Sequence, residues 1–166
     1  KAIQAAHAAF ASWKKVSPGE RSKIIDRVAD LMTQKKYDLM AAQILEVGKP
    51  WAEADGDIGE AIDFCRYYAN HMRDIANPLR VGHAPGEISQ YIYKPRGVVT
   101  VIAPWNFPLA ILAGQVVAAL VTGNTVVMKP AEQSSLIAEG LMSILLEAGV
   151  PKNAVQFLPG YGEDVG

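Results

Sequence analysis

Hydrophobic residues recur at steps of three and four through the first half of the chain, which predicts a series of amphipathic helices. Residues 2–13 place Ile3, Ala6, Phe10 and Trp13 at such steps. The same segment is rich in alanine, the residue with the highest helix propensity. We therefore expect a first helix with one apolar face.

Start and stop signals divide the rest of this helical region. Ser17 is followed by Pro18, and Glu20 lies three residues after the serine, which predicts an N-cap and a capping box. The helix after this signal is expected to bury Ile24, Ile25, Val28, Leu31 and Met32. Further helices are predicted over 37–47, where a Gly-Lys-Pro sequence follows, and over roughly 51–75, where an Asn-Pro pair follows soon after.

The second half of the chain has the pattern of strands separated by helices. Residues 87–94 (EISQYIYK) alternate between apolar and polar, which predicts a half-exposed strand. The continuous apolar run 98–103 (VVTVIA) predicts a buried parallel strand, as do the shorter runs 125–128 and 155–158. The helices between these strands are predicted over 109–120 and 134–149.

This order of elements predicts an α/β fold with a doubly wound, Rossmann-like parallel sheet. We divide the chain into a helical part, 1–86, a strand pair, 87–97, and the first βαβαβ part of the sheet, 98–166. Ligands of such sheets bind at the carboxyl ends of the strands. The loops at these ends begin at Pro104, Lys129 and Gly160, and we expect them to meet at one edge.

Composition narrows the possible partners and the compartment. The 166 residues carry a net charge of −1, which favours neither nucleic acid nor an acidic membrane surface as a partner. No apolar run is long enough to span a membrane, and no metal site is predicted. The single cysteine, Cys65, forms no internal disulfide, and no signal-peptide pattern is recognisable. We expect a cytoplasmic protein.

Because the chain starts inside a helical pattern and stops after a glycine-rich turn, we also expect a fragment.

Two charged residues lie where the central predicted strand ends. Lys129 follows the strand directly and could donate to ribose hydroxyls or a phosphate, and Glu132 could accept from a ribose hydroxyl. Alternatively, both are ordinary solvated charges near a helix start, where a glutamate is favourable in any case. The residues alone support both interpretations equally.

Asn106 lies between Trp105 and Phe107 in a loop bounded by two prolines. A rigidly held amide in apolar surroundings could donate to an oxyanion. Alternatively, Asn106 caps the helix that begins near Leu109, and its aromatic neighbours pack in the core. The glycine pair Gly160 and Gly162 differs from the usual dinucleotide-binding sequence and by itself predicts only a turn.

Three ordered segments resemble the aldehyde dehydrogenase superfamily. They are 101–108 (VIAPWNFP), 123–133 (GNTVVMKPAEQ), and 146–151 (LEAGVP) followed by 158–160 (LPG). Their order and spacing agree with that superfamily over about 70 residues, and three motifs in order are far more specific than one. The resemblance implies NAD-dependent oxidation of an aldehyde to a carboxylate.

The resemblance also implies roles for single residues. Asn106 would donate its amide to the oxyanion formed when a nucleophilic thiol attacks the aldehyde, and Lys129 and Glu132 would hold the adenosine ribose. Because Glu132 pairs well with a free 2′-hydroxyl and would repel a 2′-phosphate, NAD is expected rather than NADP. The remaining cofactor-binding positions implied are Ile102, Ala103, Pro104, Trp105, Pro130, Ala131, Gly162 and Glu163.

Within the superfamily, segments 48–55 (GKPWAEAD) and 60–68 (EAIDFCRYY) are similar to glutamate-semialdehyde (pyrroline-5-carboxylate) dehydrogenases. The stretch 104–166 is similar to the dehydrogenase part of bifunctional proline-utilisation proteins. Glu60 could approach the substrate ammonium group, although a solvated helix charge is the simpler interpretation. The strand over 88–94 would belong to the family's oligomerisation hairpin, which implies a homo-oligomer of the full-length protein.

The family's mechanism requires a cysteine thiolate and a glutamate base. Cys65 lies mid-helix beside Phe64 and Tyr67, outside any nucleophile motif, and is expected to be a core residue. We therefore expect this chain alone to be inactive, its catalytic domain being absent. The alternatives left open are another semialdehyde or aliphatic aldehyde dehydrogenase, and a non-catalytic relic of the fold.

Overall fold

The computed structural model describes residues 1–165 and begins with four helices. They are α1 (Ala2–Trp13), α2 (Pro18–Gln34), α3 (Lys36–Val47) and α4 (Trp51–Ile75). The predicted helices agree with these bounds to within a residue or two. The capping box is confirmed as well, since Ser17 Oγ accepts from the Glu20 N–H and the Glu20 carboxylate accepts from the Ser17 N–H.

The long helix α4 buries one stripe of small and branched side chains as it packs against α2 and α5. The stripe consists of Ala54, Ile58, Ala61, Cys65 and Ala69, all with no exposed surface. Burial raises the pKa of the Cys65 thiol to about 12. The expectation that Cys65 is a core residue is therefore confirmed.

A three-stranded parallel sheet follows, with helices in its crossover connections. Its elements are β3 (Val98–Ile102), α5 (Ala110–Val121), β4 (Thr125–Lys129), α6 (Ser135–Ala148) and β5 (Val155–Phe157), and the strand order is β3-β4-β5. A 3₁₀ turn (Glu132–Ser134) precedes α6, and a short helix, α7 (Gly162–Val165), follows β5. The predicted α/β fold with a helical layer and a Rossmann-like sheet is confirmed.

Helices α4 and α5 approach each other closely at Gly114. A Cβ atom at this position would lie 2.9 Å from Cδ2 of the Phe64 ring. Any larger side chain would therefore force the Phe64 ring or one helix to move. Glycine at this position therefore allows the close approach between Phe64 of α4 and the backbone of α5.

Burial of β3 was predicted wrongly. Thr100 and Ile102 are exposed, and Ile102 keeps 62% of its surface accessible. Within residues 1–165, β3 pairs only with β4 and is an edge strand, whereas β4 is buried along its whole length. A continuous apolar run indicates strand formation, but its burial depends on neighbours that the run does not encode.

The predicted strand over 87–94 is shorter and more exposed than expected. Only β2 (Gln90–Tyr91) is regular, and it pairs antiparallel with β1 (Leu79–Arg80), which lies before the predicted strand pair of 87–97. All four residues are exposed. Alternation of apolar and polar residues requires a partner of equal length to form a long strand, and β1 has only two residues.

Candidate functional site

The three loops that follow β3, β4 and β5 lie in a row along one edge of the sheet. Parallel register aligns Ile102 with Lys129 and Met128 with Phe157. Backbone bonds continue this alignment past the strand ends: the Ala103 N–H donates to the Lys129 carbonyl at 3.3 Å, and the Leu158 N–H donates to Met128 at 2.9 Å. The prediction that the loops beginning at Pro104, Lys129 and Gly160 meet at one edge of the sheet is therefore confirmed.

Lys129 is buried, with 6% of its surface exposed, at the end of the central strand. Its ammonium donates to the Pro130 carbonyl at 3.2 Å and lies 3.7 Å from a Glu132 carboxylate oxygen. The alternative that Lys129 is an ordinary solvated charge is therefore wrong. Since an ammonium group has three donors and one is bonded to Pro130, donors remain for a ligand.

Glu132 begins the 3₁₀ turn and is exposed to solvent. Its own backbone N–H and the Lys129 ammonium lower the pKa of the carboxyl below its ordinary value. Glu132 is therefore ionised at neutral pH and can accept hydrogen bonds. Its place in the first turn also agrees with a favourable helix-start charge, so the two interpretations of Glu132 are compatible.

The loop between β3 and α5 exposes its aromatic residues. Trp105 is 54% and Phe107 40% exposed, which overturns the expectation that both pack in the core. Of the two prolines, Pro108 is buried and Pro104 is exposed. Within residues 1–165 no strand lies beyond β3 on this side of the sheet, and the loop that follows β3 is left partly open to solvent.

Asn106 does not cap α5. The first N–H groups of that helix, on Leu109 and Ala110, instead donate to Oδ2 of Asp57 at 3.2 and 3.4 Å. The Asn106 side chain is exposed and makes no hydrogen bond within residues 1–165. The alternative role as a helix cap is therefore excluded, and the amide is available to a ligand.

Asp57 is a buried carboxylate that the sequence analysis missed. It is 2% exposed and also accepts from Gln43 Nε2 at 2.7 Å. Burial raises the pKa of Asp57, while nearby Lys49 and the hydrogen bonds oppose that shift. A signal was present, because Asp57 falls at helical spacing within the apolar stripe of α4, between Ala54 and Ala61.

Lys49 connects Asp57 to the Asn106 loop. Its Nζ donates to the Asn106 carbonyl at 2.8 Å, lies 4.5 Å from the centre of the Phe107 ring, and is 4.0 Å from Oδ1 of Asp57. Only 9% of the Lys49 side chain is exposed. The sequence analysis placed Lys49 at a helix stop and in a segment of family resemblance but gave it no role in the site, because Asn106 and Phe107 lie more than fifty residues away.

A second carboxylate of the helical layer, Glu46, holds the start of α6. It accepts from the Leu136 N–H at 2.6 Å and the Ile137 N–H at 2.9 Å. Glu46 also lines a shallow depression with Val47, Trp105 and Gln133. The end of α3 therefore contacts the loops that follow both β3 and β4.

The other predicted cofactor-binding residues lie along the same edge. Ala103 and Pro130 are buried and Ala131 is half-buried, whereas Gly162 and Glu163 are exposed at the start of α7. A Cβ atom at Gly162 would meet nothing within 4 Å in the described part of the chain, so packing there does not require glycine. Glu60 is exposed on α4.

Residues 1–165 offer neither a membrane-spanning helix nor a cluster of metal-ligating side chains. No helix in this range is both long and apolar enough to cross a membrane. The same residues contain no group of three or more His, Cys, Asp or Glu side chains suited to hold a metal ion.

Comparison with known proteins places these features in one family. The aldehyde dehydrogenase family matches residues 1–166. The chain is 48% identical over 166 residues to 1-pyrroline-5-carboxylate dehydrogenase 2 of Bacillus subtilis, covering all of this chain and 32% of that protein. It is 65% identical to proline utilization A from Bdellovibrio bacteriovorus, with a TM-score of 0.96 over 98% of this chain and 17% of that one.

A third relative is 1-pyrroline-5-carboxylate dehydrogenase from Thermus, whose crystal structure has bound NAD. The identity is 44% and the TM-score 0.94, covering 98% of this chain and 32% of that one. The chain thus spans about a third of the length of the curated relatives it matches. The resemblance to glutamate-semialdehyde dehydrogenases and proline-utilisation proteins is confirmed, and the chain belongs to the aldehyde dehydrogenase family.

Proposed function

We propose that the natural gene product containing this chain oxidises an aldehyde to a carboxylate with NAD, and that glutamate γ-semialdehyde is its substrate. The observation that carries the proposal is the Lys129–Glu132 pair: a buried ammonium with free donors beside an ionised carboxylate, at the end of the central strand. The names of the relatives support the substrate, since several are 1-pyrroline-5-carboxylate dehydrogenases.

The residues at the sheet edge fit a dinucleotide. Lys129 would donate to one ribose hydroxyl and Glu132 would accept from another, because a vicinal diol offers both a donor and an acceptor. Glu132 would repel a 2′-phosphate, which favours NAD over NADP. The backbone and side chains of Ile102, Ala103, Pro104, Trp105, Pro130 and Ala131 would line the cofactor's path, with Gly162 and Glu163 toward the adenine. When bound, NAD supplies a hydride acceptor.

Asn106 would stabilise the charge that develops on the substrate. Attack of a thiolate on the aldehyde carbon moves the carbonyl electron pair onto oxygen, and an amide N–H aimed at that oxygen lowers the barrier. The exposed Asn106 amide, free of bonds within residues 1–165, suits this role. Loss of one such donor typically lowers kcat by about 10²–10³-fold.

Cys65 does not suit the role of nucleophile. Its thiol is buried, and the raised pKa keeps it protonated at neutral pH, whereas the thiolate is the reactive form. We therefore propose that the nucleophile lies outside this chain and that the 166 residues alone do not oxidise aldehydes. Cys65→Ala in the natural gene product is expected to leave kcat unchanged.

We also propose that the parent protein is a homo-oligomer and that the β1–β2 ribbon contributes to its interface. Leu79, Ile88 and Tyr91 expose more than half of their surface on or beside this ribbon. Light scattering of the natural gene product tests the proposal. A monomer at micromolar concentration would contradict it.

The function is tested by measuring NADH formation by the natural gene product with glutamate γ-semialdehyde, succinate semialdehyde and a straight-chain aliphatic aldehyde. We expect the highest kcat/KM for glutamate γ-semialdehyde. A preference for another aldehyde would replace the substrate, and absence of NADH with all three would favour a non-catalytic relic.

The cofactor assignment is tested separately with Glu132→Gln, and Glu139→Gln on the exposed face of α6 is the matched control. Loss of a charged hydrogen bond is expected to raise KM for NAD by about tenfold in the first variant. The preference against NADP should also weaken, because the repelling charge is gone. Equal KM values in both variants would exclude Glu132 from the ribose site.

A further inference from the structure

Lys49 holds the backbone of the Asn106 loop at two adjacent residues. Its ammonium donates to the carbonyl of Asn106 itself and lies over the ring of Phe107. Only 9% of the Lys49 side chain is exposed, although Asn106 and Phe107 themselves lie at the surface. The peptide that follows Asn106 is thereby fixed in position.

Asp57 fixes the other end of the same loop. Its Oδ2 accepts from the N–H groups of Leu109 and Ala110, the residues at which α5 begins. Its Oδ1 is buried without a hydrogen-bond partner in the described residues and lies 4.0 Å from Lys49 Nζ. A buried, unpaired carboxylate oxygen is costly, and the nearby Lys49 charge offsets part of that cost for Asp57.

We propose that Lys49 and Asp57 are positioning residues that orient the Asn106 amide toward the substrate oxygen. The inference rests on the proposed function, because it assigns to this pair an effect on catalysis that acts through Asn106. Neither residue is expected to touch substrate or cofactor. Oxyanion stabilisation depends on donor placement within a fraction of an ångström, so release of the loop lowers the rate of the chemical step.

The experiment compares Lys49→Met with a matched control, Lys36→Met, in the natural gene product. Lys36 on α3 pairs with Asp55 on α4, but this pair is more exposed and, within residues 1–165, makes no hydrogen bond to the Asn106 loop. With glutamate γ-semialdehyde and NAD, Lys49→Met is expected to lower kcat by about 10–100-fold while KM for NAD changes less than about threefold. Lys36→Met is expected to leave both constants unchanged.

A double-mutant cycle with Asn106→Ala separates positioning from general structural damage. If Lys49 acts through Asn106, the double variant is expected to be no slower than Asn106→Ala alone. Additive losses would overturn the inference, as would a Lys49→Met enzyme with wild-type kcat. If Lys49→Met does not fold, Lys49→Gln decides in its place, since its shorter amide cannot replace the ammonium at both partners.

The outcomes distinguish the inference from the proposed function. A wild-type protein that forms no NADH, or an Asn106→Ala variant with wild-type kcat, would contradict the function and with it the inference. An active wild type that loses activity in Asn106→Ala but not in Lys49→Met would leave the function in place and overturn only the positioning role.

Discussion

The loops that follow β3 and β4 are held by the same device in different surroundings. Each leads into a helix whose first free N–H groups donate to a carboxylate from the helical layer: Asp57 for α5 and Glu46 for α6. Asp57 is buried and paired with Lys49, whereas Glu46 is half-buried beside solvent. We call the buried Asp57 contact the dry anchor and the solvent-facing Glu46 contact the wet anchor.

The difference in burial corresponds to a difference in what each loop presents. The first loop presents the Asn106 amide, whose proposed role depends on accurate placement, and a buried ion pair resists displacement because separating it leaves a charge in a dry site. The second presents Lys129 and Glu132 to a ligand that would arrive from solvent. The comparison predicts that the dry anchor contributes far more to stability than the wet one.

The largest expected effect is that of Asp57→Ala. It leaves Lys49 without its counter-charge and removes the acceptor of three hydrogen bonds. We expect the free energy of unfolding to fall by about 3–5 kcal/mol, as when one partner of a buried pair is lost. Chemical denaturation of the natural gene product measures it, and a loss under about 1 kcal/mol, the size of a typical exposed cap, would contradict the dry anchor.

A smaller effect is expected from pH, through Asp57→Asn. Because burial raises the pKa of Asp57 in the folded state, wild-type folding takes up a proton in the window above about pH 4. Wild-type stability relative to Asp57→Asn should therefore be greatest below that pH and decline as pH rises through the raised pKa. Denaturation curves of both proteins at several pH values measure this difference in stability. A difference that grows as the pH rises would contradict the prediction.

Glu46→Ala tests the wet anchor. It removes the acceptor for the Leu136 and Ile137 N–H groups, which can then bind water. We expect a loss of about 1 kcal/mol in the free energy of unfolding, typical of a helix cap. A loss as large as that of Asp57→Ala would erase the distinction between the two anchors.

The smallest effect is expected from Lys36→Met. Its ion pair with Asp55 joins α3 to α4 and is partly exposed to solvent. Such pairs contribute about 0–1 kcal/mol, so denaturation should detect little change. A change as large as that of Asp57→Ala would show that ion pairs in this region stabilise the fold to the same extent whether or not they are buried.

Local signals allowed most of the elements to be predicted. Helix bounds follow from Ser17 and Glu20, from the left-handed glycines Gly48 and Gly149, and from apolar periodicity, all of which act within a few residues. The three strands of the sheet were found for the same reason. Burial of β3 and the length of β2 were predicted wrongly, because both depend on partners elsewhere in the chain.

The candidate site was only partly predictable for a related reason. Motif resemblance located Asn106, Lys129 and Glu132, but their assigned roles remain predictions. The roles of Asp57 and Lys49 were not identified, because their partners in and after the Asn106 loop are 52 to 58 residues distant. A carboxylate within the apolar stripe of α4 was nevertheless a usable sign, since buried acidic side chains are rare unless paired.

The contact between Gly114 and the Phe64 ring has a consequence for how this family can vary. Because the space that a methyl group would need at residue 114 is already filled by the ring, the two positions are not free to change independently. Relatives that carry alanine or serine at the position of Gly114 are expected to carry a smaller side chain at that of Phe64. Substitutions at these two positions should therefore be correlated among members of the family.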